Sequence, residues 1–160
     1  MSPRAAWRLE SLGFQEVYDY VAGEADWFAN GLPMEGTNAA IPHAGDLAKR
    51  DTPTCQLTDS LRDVLNRADE SDWDTCVVVN SERIVLGILR LNGIDASSDA
   101  TVEDHMESGP STWRPDATLD QPLAYMERRK VESVIVTTSE GRLVGVLRRS
   151  DIKDRPIHTQ

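Results

Sequence analysis

The sequence has few of the residues from which disulfides, metal sites and thiol-based active sites are built. Its two cysteines, Cys55 and Cys76, fit neither a disulfide framework nor the ligand spacing of a metal site, and its three histidines are scattered singly. Cys76 opens an apolar run and is expected to be a core residue, and Cys55 has no neighbouring His that would activate a thiolate. We therefore expect no catalytic residue, no metal site and no disulfide.

The sequence also has no long apolar run. None approaches the roughly 18 residues that a membrane-spanning helix needs. The first six residues, MSPRAA, lack the apolar core of a signal peptide. We therefore expect a cytoplasmic protein without a membrane partner.

Positive charge is scarce overall. There are 17 Lys and Arg residues against 27 Asp and Glu residues, which gives a formal net charge of −10. Nucleic-acid backbones and anionic membranes need basic surface, so neither is expected as a partner. Residues 125–155 are the exception, because eight basic residues occur there with five acidic ones and the net charge is +3. An anionic ligand is expected at this end of the chain, unless the charges simply form a solvated helix face and strand edges.

What the sequence does contain is an internal repeat. Residues 44–94 and 102–152 align without a gap at a constant offset of 58, with eleven identities. Two copies of this length indicate a pseudo-symmetric pair of small modules and not an open array of repeats. A chain of 160 residues suits two modules that share one core. The identical pairs are Asp46/Asp104, Thr54/Thr112, Leu61/Leu119, Leu65/Leu123, Val78/Val136, Ser81/Ser139, Glu82/Glu140, Gly87/Gly145, Leu89/Leu147, Arg90/Arg148 and Ile94/Ile152.

Each copy predicts the element order β-α-β-β-α. In the second copy, a short helical turn precedes an extended piece at Thr112, and a helix follows whose start has capping-box spacing at Thr118. Apolar runs at 134–137 and 143–147 then predict two strands, and a closing helix is expected to begin at 150–152. The first copy predicts the same elements 58 residues earlier.

One glycine lies inside the last strand of each copy. Gly87 and Gly145 occupy equivalent positions. Glycine within a strand often marks the close approach of a ligand or of another backbone segment. The fold class predicted from these patterns is α/β (α+β), with two pseudo-symmetric β-α-β-β-α modules packed sheet to sheet and an N-terminal helix-strand-helix extension.

The order of elements and three sequence stretches resemble the CBS domain. The stretches are 102–106 (VEDHM), 109–119 (GPSTWRPDATL) and 141–152 (GRLVGVLRRSDI) in the second copy, and the first copy is similar mainly through the repeat. The pair resembles the tandem CBS arrangement often called a Bateman module. The resemblance implies modules at 44–94 and 102–152, preceded by a linker at 35–43 and followed by a tail at 153–160.

CBS pairs commonly bind adenosine compounds such as AMP, ATP or S-adenosylmethionine in clefts between the modules. By this resemblance Asp151 would accept hydrogen bonds from ribose hydroxyls, although a carboxylate at a helix start can equally act as a cap. Arg148 stands where the family usually has a hydroxyl residue, and it could bind phosphate. Gly93 replaces the aspartate in the first copy, so that site is expected to be degenerate. The candidate ligand-binding residues are Asp151, Arg148, Gly145, Thr112, Val134 and Ser133.

The N-terminal residues resemble the last third of a rhodanese domain. The resemblance rests on 12–14 (LGF), 17–18 (VY), Gly23, Trp27 and 31–33 (GLP). The same stretch predicts a helix, a strand at 17–21 and a second helix. The family's catalytic cysteine would lie before the first residue of this chain, so residues 1–34 are interpreted as a structural remnant without sulfurtransferase activity. The alternative is that the native start codon lies upstream.

Together these patterns predict a regulatory module that senses an adenosine-containing ligand and has no catalytic activity or cofactor. The alternative is an interaction scaffold without a ligand, in which the pockets are vestigial. A homodimer is expected, because CBS pairs commonly pair through their helical faces. Trp73 and Val131, at equivalent positions of the repeat, are expected to contribute an apolar patch to such a face.

Overall fold

A computed structural model of the chain describes residues 3–68, 73–94 and 100–153. It confirms a mixed α and β fold with two small sheets, one of four strands and one of three. Residues 154–160 of the expected tail lie outside the described residues.

The first part of the chain contains an N-terminal extension and the first module. The extension comprises α1 (Pro3–Ser11), α2 (Gly23–Ala29) and a 3-10 turn (Thr37–Ala40). The first module comprises α3 (Ala44–Leu47), β1 (Thr54–Cys55), α4 (Leu61–Ala68), β2 (Thr75–Val79) and β3 (Val85–Arg90). The second module and its entry comprise α5 (Val102–His105), β4 (Glu107–Ser108), β5 (Thr112–Trp113), α6 (Asp120–Arg129), β6 (Ser133–Thr137), β7 (Leu143–Arg148) and α7 (Arg149–Lys153).

The two hairpins have the same register, as the repeat predicts. In the first, Thr75 pairs with Arg90. In the second, Ser133 pairs with Arg148, each 58 residues further on. A short strand pairs in parallel with the first strand of each hairpin, so the sheets have the orders β1-β2-β3-β4 and β5-β6-β7.

The segment that leads into each module crosses over and pairs with the sheet of the other module. Strand β4 lies before the second module but pairs with β3 of the first. In the equivalent place, Lys49 pairs with Val146 of β7, and their backbone groups exchange hydrogen bonds of 2.8 and 3.0 Å. A Cβ atom on Gly145 would lie 2.5 Å from the Lys49 carbonyl oxygen. The glycine therefore admits a segment of the same chain.

The core consists of one apolar cluster in each module and a third between the sheets. The strands alternate, so that Val78 and Val136 face the helices of their own modules, whereas Val77 and Ile135 face the other sheet. The third cluster comprises Val77, Val79, Ile135, Leu143 and Val146. Full burial of each such side chain contributes about 1.5–3 kcal/mol, which is enough to hold the sheets together.

The expected apolar patch at Trp73 and Val131 stays a prediction, because both side chains are only partly buried. Trp73 is partly buried against the cluster between the sheets, and Val131 is partly buried against the core of the second module. Both positions lie just before a strand of their module, and each side chain packs beside an apolar cluster.

The N-terminal extension contains no strand among the described residues, so the predicted strand at 17–21 is wrong. None of the described strands pairs with this stretch, and Tyr18 and Val21 are 86% and 91% exposed. Helix α1 buries no side chain, whereas α2 buries Phe28 and Ala29: Ala29 belongs to the core cluster of the second module, and the Phe28 ring lies against His43. The extension is therefore attached through its second helix.

Two local predictions also differ from the structure. The capping box at Thr118 does not form, because α6 begins after Leu119 and has no side-chain cap. The closing helix expected to begin at 92–94 is replaced by a turn in which Gly93 has φ 81°, a left-handed conformation that interrupts a helix. Its continuation at 95–99 lies outside the described residues.

The aspartate pair Asp46/Asp104 of the repeat has a structural role. Asp104 accepts hydrogen bonds from the backbone N–H of Thr101, at 3.0 Å, and from its hydroxyl, at 2.8 Å. Asp46 accepts one from the backbone N–H of His43, at 2.9 Å. Each carboxylate thereby fixes the start of a short helix, α5 or α3.

Within the described ranges, no helix combines the length and apolar character that crossing a membrane requires.

Candidate functional site

An open cleft of about 610 Å³ lies where the segment entering the first module meets the start of α7 in the second. Its volume falls within the range of about 300–1,000 Å³ usual for small-molecule sites. Its lining contains three carboxylates and two basic side chains. The lining residues are Asp46, Leu47, Ala48, Lys49, Arg50, Asp51 and Asp151.

Asp151 is the one sequence-predicted ligand residue that lines this cleft. It is partly buried, and its Oδ2 atom has no hydrogen-bond partner among the described residues. It is not the cap of α7, because the helix begins two residues earlier at Arg149. A buried acceptor without a donor is costly, by about 1–3 kcal/mol. The arrangement therefore favours a donor supplied from the cleft.

Arg148 does not line the cleft. Its guanidinium carbon lies 3.6 Å from the centroid of the Trp73 ring, on the side of β7 that faces the first module. Such a cation–π contact holds an arginine in place by about 0.5–2 kcal/mol. Ser133 lies opposite Arg148 in the neighbouring strand, so it too belongs to this face between the sheets.

The structure does not bring the other three predicted residues into the cleft lining. Gly145 is covered by the backbone of Lys49. Val134 is 4% exposed and packs in the core of the second module. Thr112 is exposed in β5, which β6 separates from β7.

Lys49 and Arg50 were missed by the sequence analysis. They lie just over one hundred residues before Asp151 and outside the motif stretches. One feature of the sequence pointed to them. The glycine inside β7, Gly145, predicted that a ligand or a backbone segment lies close to the strand, and residues 48–49 of the crossing segment are that backbone. In the repeat, Lys49 is also equivalent to Glu107, and Glu107 pairs with β3, the last strand of the first module.

The equivalent place in the first module is closed by an ion pair. Arg90 Nε lies 2.8 Å from Glu107 Oε1, and Gly93 stands where the second module has Asp151. The hydrogen bond with Glu107 raises the pKa of Arg90, and the same bond lowers the pKa of Glu107. Both side chains are more than half exposed, so the pair adds little stability, but it does occupy the strand end. The expected degeneracy of this half stays a prediction.

Glu132 is an acidic residue directly before β6 of the second module. In the structure its carboxylate lies 3.6 Å from Arg149 Nη1, and a second carboxylate, that of Glu127, lies 3.3 Å from Nη2. Part of its charge is thus balanced by Arg149 at the start of α7.

The cysteines lie away from the cleft, in the core of the first module. Cys55 and Cys76 are 3% and 1% exposed. A hydrogen bond shared with Cys55, together with burial, raises the pKa of the Cys76 thiol. A buried protonated thiol is a poor nucleophile. Among the described residues, no three His, Cys, Asp or Glu side chains are grouped so as to hold a metal ion.

Comparison with known proteins agrees with this architecture. Residues 102–157 match the family model of the CBS domain. An inosine-5'-monophosphate dehydrogenase of Methanocaldococcus jannaschii is 24% identical over 123 residues, which are 76% of this chain and 25% of that enzyme. The chain therefore spans about a quarter of the length of this relative.

Solved CBS structures share the fold of both modules. The cytosolic domain of the Mg²⁺ channel MgtE, in complex with ATP, superposes with a TM-score of 0.65 at 21% identity over 71% of this chain and 48% of that one. CBSX2 in complex with AMP gives 0.63 at 17% identity over 71% of this chain and 94% of that one. At these identities the likeness shows the fold.

The class defined by these findings is the CBS pair: two small modules packed through their sheets. More specifically, residues 102–157 match the CBS-domain family model, and the family match and the structural neighbours together support a CBS-domain protein. They give no support to the rhodanese resemblance, which rests on residues of the N-terminal extension alone.

Proposed function

We propose that the chain is a regulatory module that binds an adenosine compound in the cleft at Asp151. The observation that carries the proposal is the buried Oδ2 atom of Asp151, which has no donor among the described residues. Vicinal ribose hydroxyls would supply two donors to one carboxylate, and hydrogen bonds to a charged group are about twice as strong as neutral ones. AMP and ATP are bound by CBS structures of the same fold.

The charges of the lining favour AMP or adenosine over ATP. Lys49 can pair with one phosphate, whereas Arg50 donates to the Ala29 carbonyl at 2.7 Å, and three carboxylates share the same walls. Arg148, which could have added a third cation, is held over Trp73. Each further phosphate of a nucleotide would therefore meet acidic side chains without a matching cation.

Ligand binding in this cleft would couple the two modules. One wall comes from the segment that enters the first module, and the other comes from α7 of the second. A ligand that contacts both walls favours the arrangement of the halves that fits it best, by no more than its difference in affinity for the two arrangements. This is the physical basis for a regulatory role without catalysis or a cofactor.

The test is calorimetric titration of adenosine, AMP and ATP into the wild-type protein and Asp151→Ala. Loss of the acceptor should weaken AMP binding at least about tenfold, because each hydrogen bond to a charged group contributes about 1.5–3 kcal/mol. Asp63→Ala is the matched control, since it removes an exposed carboxylate from α4 and should leave affinity unchanged. Equal affinities of wild type and Asp151→Ala would remove the site assignment.

If none of these ligands releases heat, the interaction scaffold becomes the better description. An independent observation favours that second function: large apolar side chains are exposed along the N-terminal extension. They include Trp7 at 68%, Leu12 and Phe14 at 60% each, Tyr18 at 86% and Val21 at 91%.

We propose the homodimer as part of either function. Light scattering measures it directly, and a mass near 17.8 kDa at every workable concentration would end the idea. Trp7→Ser and Phe14→Ser then decide whether the N-terminal extension forms the contact. A dimer that survives both changes is held elsewhere.

A further inference from the structure

We infer that a second cleft of the molecule, which shares only Arg50 with the lining of the cleft at Asp151, binds a phosphoryl group. It has a volume of about 280 Å³ and lies where the turns of the two hairpins meet and α2 packs beside them. Three arginines from separate parts of the chain converge there. The lining residues are Asp26, Ala29, Asn30, Arg50, Arg83, Thr138, Arg142, Leu143 and Val144.

The three guanidinium groups have no carboxylate partner in the part of the chain that the structure describes. Among the described residues, none of Arg50, Arg83 and Arg142 forms an ion pair. Arg50 Nη2 donates to the Ala29 carbonyl at 2.7 Å, and Arg142 Nη1 donates to the Glu82 carbonyl at 3.1 Å. These bonds orient the two side chains and leave their other N–H groups available. In a chain with ten more acidic than basic residues, three converging cations without acidic partners indicate an anionic ligand.

Other polar groups at the cleft reinforce this charge. Arg114 donates through Nη1 to the carbonyl of Thr138, which adds a fourth cation at the margin. The single lining carboxylate, Asp26, already accepts hydrogen bonds from the Tyr20 hydroxyl and from Asn30 Nδ2. The lining thus carries three positive charges and one negative charge. A tetrahedral oxyanion is the ligand that several arginine forks fit best.

The backbone at Arg83 is the independent sign that this position matters. Arg83 has φ 62°, in the left-handed region that costs a non-glycine residue roughly 1–2 kcal/mol. The equivalent residue of the second module is Gly141, with φ 83°. The turn that has a glycine in the second module therefore has a strained arginine in the first module. That arginine is one of the residues that line the cleft.

The test variant is Arg83→Gly, which copies the second module's turn. It removes one cation and relieves the backbone at the same time, so it should fold at least as well as the wild type. Lys130→Gly is the matched control: Lys130 is the other non-glycine residue with positive φ, at 56°, and lies at the end of α6, outside the cleft lining. The two variants have the same change in charge and the same gain at the backbone.

Calorimetric titration of inorganic phosphate and glycerol 3-phosphate, in sodium chloride of constant ionic strength, is the measurement. We expect wild type, Lys130→Gly and Asp151→Ala to bind with equal affinity, and the Kd of Arg83→Gly to rise about tenfold, as for loss of one charge-assisted hydrogen bond. The ratio of the two ligands' affinities distinguishes free phosphate from a phosphate monoester. Two results overturn the proposal: no phosphate binding by the wild type, or equal binding by Arg83→Gly and Lys130→Gly. Loss of phosphate binding in Asp151→Ala would also overturn it, by placing the phosphate in the other cleft.

Discussion

Replacing Asp151 by alanine should stabilise the ligand-free protein, although carboxylates at helix starts are usually stabilising. Asp151 is the third residue of α7, where the helix dipole favours negative charge. Its Oδ2 atom, however, is buried without a hydrogen-bond donor among the described residues. The two effects oppose each other, so their relative magnitudes decide whether Asp151→Ala raises or lowers the free energy of unfolding.

The burial effect is the larger. An unsatisfied buried acceptor costs about 1–3 kcal/mol, whereas a favourable charge at a helix start contributes about 0.3–1 kcal/mol. Removal of the side chain should therefore raise the free energy of unfolding by about 1 kcal/mol. For a chain of this size, this corresponds to a rise in melting temperature of about 2–4 °C. Differential scanning calorimetry without ligand measures it, and the same variant should have lost affinity for AMP.

Asp104→Ala is the control, because Asp104 is a capping carboxylate at the start of α5. The backbone N–H and the hydroxyl of Thr101 donate to it and lower its pKa. Its folded pKa lies below the unfolded one, so its stabilisation is complete above the unfolded pKa and disappears as pH falls through the folded pKa. Asp104→Ala should therefore lower the melting temperature at pH 7 and have a smaller effect at pH values below about 4. A fall of 2 °C or more for Asp151→Ala at pH 7, like that expected of a cap, would refute the reasoning.

Three further outcomes are expected. Gly145→Ala should reduce the free energy of unfolding by about 1–3 kcal/mol in urea denaturation, because the new Cβ would overlap the Lys49 carbonyl; an unchanged midpoint would mean that the crossing segment is not packed there. Cys55 and Cys76 should resist iodoacetamide in the folded protein and react fully in denaturant, since both are buried; rapid labelling of the native state, measured by mass spectrometry, would contradict this. Cyanide-dependent formation of thiocyanate from thiosulfate should be absent, and activity that Cys55→Ser abolishes would show that this cysteine is a nucleophile after all.

The repeat predicted the fold well because two conditions limit how the strands of each hairpin can pair. Each hairpin has to satisfy its own alternation of buried and exposed residues, and the same register then has to serve both copies. The observed partners of Thr75 and Ser133 are related by the offset read from the sequence. Short helices at the starts of the modules followed from the same alignment, through Asp46 and Asp104.

Local patterns outside the repeat were poorer predictors, because tertiary contacts decide them. Residues 17–21 have a strand-like sequence, but strand formation needs a neighbour to accept the hydrogen bonds of the backbone, and none of the described sheet edges lies there. Thr118 has capping-box spacing, yet α6 begins later and its first turn is set by packing of the buried Leu119. In both places the tertiary surroundings, and not local propensity, decided the outcome.

Only one wall of the candidate site could be predicted from the sequence, and the topology of the fold explains why. Asp151 belongs to a recognisable stretch of the second module, so the sequence pointed to it. The opposite wall comes from residues 46–51, which lie at the start of the first module and reach the second only because each entry segment crosses over. Alignment of the copies places Lys49 opposite Glu107, but it does not reveal that either residue lies beside the other module's last strand.

That crossing explains how two similar copies come to have different chemistry. Arg90 and Arg148 are identical positions of the repeat, and each lies near the residue that the crossing segment brings in. In the first module that residue is Glu107, so an ion pair forms and occupies the strand end. In the second it is Lys49, a like charge, and Arg148 lies over Trp73 instead. One sign change in a crossing segment therefore leaves a lysine in the lining of the cleft at Asp151. Lys49→Glu should recreate the ion pair with Arg148 and weaken binding of AMP without weakening binding of adenosine.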